Sequence, residues 1–72
     1  MGELERLTSR ELELVAHLAR GVSYAQAARL MRVSLNTVRS HVRAVYGKLG
    51  VDNKTAAVLR ALELGLIPVP RR

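Results

Sequence analysis

The sequence predicts an all-α fold of four short helices. Three observations carry that expectation. Small polar cap residues recur ahead of segments with a helical apolar period, glycines close most of those segments, and none alternates apolar and polar residues with period two. Composition agrees: 49% of the 72 residues are apolar, mostly Leu, Val and Ala, and the only aromatic residues are Tyr24 and Tyr46. That palette favours closely packed helices over a strand-rich sandwich. Residues 1–72 read as a single domain with a core over about 4–67 and flexible ends. A chain this short buries a modest core, so a stability of a few kcal/mol, or support from self-association, is expected.

Thr8-Ser9-Arg10-Glu11 has the form of a capping box opening helix one, about 9–20. Its apolar face holds Leu14, Val15, Leu18 and Ala19, its polar face Arg10, Glu13, His17 and Arg20, and Gly21 suits its C-terminus. Ser23-Tyr24-Ala25-Gln26 repeats the box ahead of helix two, about 24–31, where Tyr24, Ala27, Ala28 and Met31 share a face. Ser34 caps helix three, about 35–49, closed by Gly50. Asp52 or Asn53 opens helix four, about 54–64, stopped by Gly65 with Pro68 behind it.

Helix three has two opposed faces. At 100° per residue, Val38, Val42, Val45 and Leu49 form an apolar stripe, while Asn36, Arg39, Ser40, Arg43 and Gly47 lie opposite. A merely solvated face would mix acids with its bases, and this helix contains no acid. Charge along the chain points the same way. The formal net charge is +6, yet Glu3, Glu5, Glu11 and Glu13 crowd the first thirteen residues; from Arg20 to Arg60 eight basic residues stand against Asp52 alone. Such asymmetry suits a polyanionic partner. Two guanidinium groups one turn apart fit a groove roughly 12 Å wide, where Arg donates paired hydrogen bonds to guanine. Ala28, the Arg32-Val33-Ser34 connection and Val38 match helix-turn-helix spacing. Such turns often carry Gly where Arg32 stands, so the turn either has another geometry or accepts roughly 1 kcal/mol of strain.

These residues resemble the LuxR/FixJ/GerE-type DNA-binding domain of bacterial transcription regulators. The matching positions are Leu7-Thr8, Arg10-Glu11, Gly21, Ser23, Ala28, Leu30, Val33-Ser34, Thr37-Val38-Arg39, His41, Lys48-Leu49-Gly50-Val51 and Gly65-Leu66-Ile67. Ser9 replaces a usual Pro, and Gln26-Ala27 a usual Glu-Ile. The resemblance implies sequence-specific double-stranded DNA binding in transcription regulation, as in response-regulator output domains, with helix 35–49 in the major groove. It implies base reading by Arg39, Ser40 and Arg43, and phosphate contacts from Asn36, Thr37, Lys48, Ser23, Tyr24 and Lys54. His41 lies toward the core side of that face, which favours a packed or helix-bridging imidazole over a phosphate contact; His17 is expected to be solvated.

Helix four carries two apolar sides: Ala57, Val58, Ala61 and Leu64 would pack inward, and Thr55, Leu59 and Leu62 form a second patch. The patch is either covered by the tail Leu66–Val69 or faces a partner. The resemblance implies a weak homodimer through this helix, on an inverted repeat of DNA. RNA polymerase is a further candidate partner.

Two other readings compete. Gly21-Val22-Ser23-Tyr24-Ala25 and residues 33–40 also look like a promoter-reading domain of a small sigma factor, though Lys48-Leu49-Gly50-Val51 and the fourth helix favour the LuxR type. A helical protein-interaction module is the other, disfavoured by the acid-free face. No enzyme is expected, for want of a carboxylate pair, a Gly-rich phosphate loop or partnered histidines. With no cysteine, neither a disulfide nor a thiolate metal site can form, and no cofactor or metal is expected. No apolar run approaches the roughly 18 residues of a membrane span, and the acidic start differs from a secretory signal, so a cytoplasmic location is expected.

Overall fold

A computed structural model describes residues 6–68. It contains α1 (Ser9–Ala19), α2 (Tyr24–Met31), α3 (Leu35–Leu49) and α4 (Lys54–Glu63), and no strand among the described residues. The all-α, four-helix fold expected from the sequence is therefore the one observed, with α1 and α4 one residue shorter at their C-termini. Of the ends expected to be flexible, those outside about 4–67, residues 1–3 and 69–72 lie outside the described residues, as do residues 4–5 of the expected core.

The caps set these boundaries. Thr8 Oγ1 accepts from the Glu11 amide at 3.1 Å while Glu11 Oε1 accepts from the Thr8 amide at 2.8 Å, and Ser23 and Gln26 repeat the exchange at 3.1 and 2.8 Å. Gln26 thus completes a box where the resembled family has Glu. Ser34 accepts from the Thr37 amide at 3.0 Å, and of the two candidates for α4 it is Asn53 that caps, accepting from Ala56 at 2.9 Å. Each bond satisfies an N–H that the first turn leaves unpartnered.

Two core clusters hang on α1 and α3. Leu14 and Leu18 of α1 join Ala27, Ala28 and Met31 of α2 and Val38 and Val42 of α3. Val15 joins Val45 and Leu49 of α3, Ala57 and Ala61 of α4, and Ile67. The N-terminal half of α3 is thus gripped with α2 and the C-terminal half with α4, while α1 packs on all three and α2 does not meet α4. Alanines on α2 and α4 let both helices approach closely. Fully burying a Leu or Val contributes about 1.5–3 kcal/mol, so the inner stripe of α3 is fixed and its outer face is fixed with it.

The turn between α2 and α3 keeps left-handed geometry despite its side chain. Arg32 has φ 59° and ψ 46°; its amide donates to the Arg29 carbonyl at 3.2 Å, and the Val33 amide to the Ala28 carbonyl at 3.0 Å. Arg10 Nη2 braces the same corner from α1, donating to the Met31 carbonyl at 2.8 Å. Arg32→Gly is expected to raise stability by about 0.5–1 kcal/mol, the relief of the left-handed penalty less the entropy glycine adds to the unfolded chain. Urea unfolding checks this, and a variant no more stable than the parent would refute strain at Arg32.

Helix four departs most from expectation. Leu64 is its C-cap and 45% exposed rather than packed. Gly65, at φ 71°, turns the chain back, and Ile67, 7% exposed, takes the inward place. Leu62 is half-buried against that second cluster, so it lies only partly in the outer patch. Leu59 remains 54% exposed with Ile67 in place, which removes the described part of the tail as its cover; Val69 lies outside the described residues. His17 is half-buried beside Glu13, at 3.9 Å, and not freely solvated.

Candidate nucleic-acid interface

The outer face of α3 follows from its inner one. With Val38, Val42, Val45 and Leu49 buried, the opposite positions Asn36, Arg39, Ser40, Arg43 and Gly47 are all exposed. Among the described residues no carboxylate lies within ion-pair distance of Arg39 or Arg43, so neither guanidinium is tied into the domain. An α-helix of 15 residues, about 22 Å long and 10–12 Å across, then offers the side that carries Arg39 and Arg43 to solvent.

The candidate backbone-contacting residues divide. Ser23 and Lys54 are exposed at the first turns of α2 and α4, the Ser23 oxygen accepting from the Gln26 amide. Thr37 is half-buried, its hydroxyl 3.0 Å from that of Ser34. The Tyr24 hydroxyl sits 2.8 Å from the Tyr46 hydroxyl. Thr55 and Leu59 are exposed on α4, and Leu59 borders an open groove with Val51 and Ala56.

Lys48, expected to meet phosphate, is also engaged within the domain. Its ammonium donates to Glu11 Oε1 at 2.8 Å and to the Arg6 carbonyl at 3.2 Å, with 20% of the side chain exposed. Glu11 itself is 5% exposed. Burial pushes the Glu11 carboxyl up, but the Lys48 bond, the Thr8 amide and the Lys48 and His41 charges together hold it below its ordinary value. His41 is half-buried on α3, and among the described residues no ion pair or hydrogen bond joins its ring to that carboxylate. Sequence reasoning saw Glu11 only as a cap and missed Tyr46 as a polar partner; both pairs join residues far apart in the chain.

Comparison with known proteins places this arrangement. The family model described as bacterial regulatory proteins, luxR family, matches residues 5–61. The transcriptional repressor ThaA of Burkholderia thailandensis is 34% identical over 68 residues, covering 94% of this chain and 29% of that protein. The probable transcriptional regulatory protein SgaR of Hyphomicrobium methylovorum is 49% identical over 55 residues, 76% of this chain and 26% of that one. The response regulator VraR of Staphylococcus aureus is 36% identical over 63 residues, 88% and 30% respectively. This chain thus spans less than a third of these relatives. Among solved structures, the response regulator ChrA of a heme-sensing two-component system superposes with a TM-score of 0.87 at 39% identity, over 92% of this chain and 33% of that one. The transcription factor GerE does so at 0.79 and 37%, over 83% of this chain and 90% of GerE. The chain belongs to the luxR family of bacterial regulatory proteins, and its four helices are that family's helix-turn-helix domain.

Proposed function

We propose that this chain binds double-stranded DNA sequence-specifically to regulate transcription, with α3 in the major groove. The observation that carries the reading is the exposed, acid-free face of α3, on which Arg39, Ser40 and Arg43 are untied and stand opposite four buried apolar residues. Arg39 and Arg43 read base edges, and Ser40 lets the helix backbone come close. Asn36, Ser23, Tyr24 and Lys54 hold phosphates and set the register, with Thr37 a lesser contributor because its hydroxyl already has Ser34. Lys48 stays outside the contact set, committed to Glu11.

Binding-site selection from random duplexes at fixed salt tests the reading. An enriched site is expected, with log K for that site falling by nearly one unit per neutralised phosphate for each unit of log salt. Salt-insensitive binding, or no enrichment, would leave a protein-interaction module instead.

The domain acts as a weak homodimer through α4 on an inverted repeat, two recognition helices about one DNA turn apart. Support comes from Leu59, which stays 54% exposed beside Thr55 after the chain has folded back. Leu59→Asp is expected to abolish cooperative filling of two half-sites while a single half-site binds as before. Unchanged cooperativity in a mobility-shift titration would exclude this surface.

A further inference from the structure

The two tyrosines of the chain meet across the helix-turn-helix. Their hydroxyls lie 2.8 Å apart, joining the first turn of α2 to the last turns of α3. The two partners are not equivalent. The Tyr46 side chain packs against both core clusters, whereas Tyr24 packs against the first alone. Tyr46 is therefore the fixed member, and Tyr24 the one whose ring the bond can orient. A pair of phenols has two protons and one mutual bond, so one O–H is left over. Burial first, and then the Tyr24 hydroxyl, push the Tyr46 phenol up to about 12, so it is neutral at physiological pH, and the geometry allows either oxygen to donate.

Resting on the DNA-binding reading above, we propose that Tyr46 is a positioning residue for DNA: its hydroxyl donates to the Tyr24 oxygen and so aims the remaining Tyr24 O–H at a backbone phosphate. The place fits the task. Tyr24 is the first residue of α2, next to the exposed hydroxyl of Ser23. A phosphate oxygen is a charged acceptor, which strengthens the bond from a neutral donor. Holding the ring beforehand removes part of the ordering cost that a free side chain would meet on binding.

The test uses the selected duplex and a series of it, each member carrying one neutral methylphosphonate. Tyr24→Phe is expected to weaken binding to the unmodified duplex roughly three- to tenfold, the size of one hydrogen bond. It should also become blind to one modified position at which the parent loses affinity. Tyr46→Phe should show a similar loss and a blunted response at that same position, and the double variant should bind no worse than Tyr24→Phe. A Tyr46→Phe variant with the parent's affinity and profile overturns the proposal. So does one weakened evenly at all positions, which marks a structural role, or a double variant whose losses add. If the parent bound no duplex at all, the DNA-binding reading would fall first and take this inference with it.

Discussion

Glu11→Ala is expected to destabilise the fold by about 3 kcal/mol, the lower end of the cost of breaking a buried ion pair. The carboxylate is 5% exposed and accepts from both the Thr8 amide and Lys48 Nζ, each at 2.8 Å. Alanine leaves the Thr8 amide without its partner and the Lys48 ammonium without its counter-charge. The lower end applies because 20% of the Lys48 side chain still meets water. In a domain this small each kcal/mol moves Tm by roughly 4–8 °C, so thermal melting reads the change directly. Lys48→Ala belongs with it as a stability variant, since it strands the buried carboxylate. Acid reports the same pair. The folded carboxyl is held below its ordinary value, so the stability it contributes is present above the unfolded pKa of roughly 4.3 and is lost as pH falls through the folded value. The parent should therefore lose stability below about pH 4 more steeply than Glu11→Gln, which keeps an acceptor for Thr8 but has no charge to titrate. A Glu11→Ala chain that melted with the parent at pH 7 would show the pair to be an ornament of the surface.

Why that pair escaped sequence reading, when most of the fold did not, is a matter of distance along the chain. The four helices were legible because cap residues act within three positions of the N–H groups they satisfy, and because glycine at φ near 70–90° marks three helix ends, Gly21, Gly50 and Gly65. The opposed faces of α3 were legible because 100° per residue is a fixed geometry, so the buried stripe of Val38, Val42, Val45 and Leu49 dictates where Arg39 and Arg43 point. Glu11 and Lys48 are 37 positions apart, and Tyr24 and Tyr46 are 22. Local rules rated Glu11 a cap and Lys48 a free surface base, and nothing in either neighbourhood says that the folded chain brings them within 2.8 Å. On helix four the inward places of Ala57, Val58 and Ala61 were legible and that of Leu64 was not, for a related reason: the turn at Gly65 delivers Ile67 inward and leaves Leu64 outside.

Arg43→Ala is expected to weaken binding to the selected site by about 1–3 kcal/mol and to relax preference at one base pair, with Arg39→Ala doing the same at a neighbouring pair. Both side chains are exposed on the outer face of α3, four residues apart and so about one turn apart, and neither has an ion-pair partner among the described residues. Neither variant should move Tm, because both side chains are exposed and neither is paired among the described residues. That separates them from Glu11→Ala and Lys48→Ala, whose effect is on folding. It also separates them from Lys54→Ala, which should weaken all sequences alike and lower the salt slope by about one. Two measurements therefore sort these variants into classes, a melting curve for the fold and a site-selection profile for the face. If Arg43→Ala bound less tightly but kept the parent's profile, Arg43 would be a phosphate contact, and base reading would have to rest on Arg39 and the other residues of the same face.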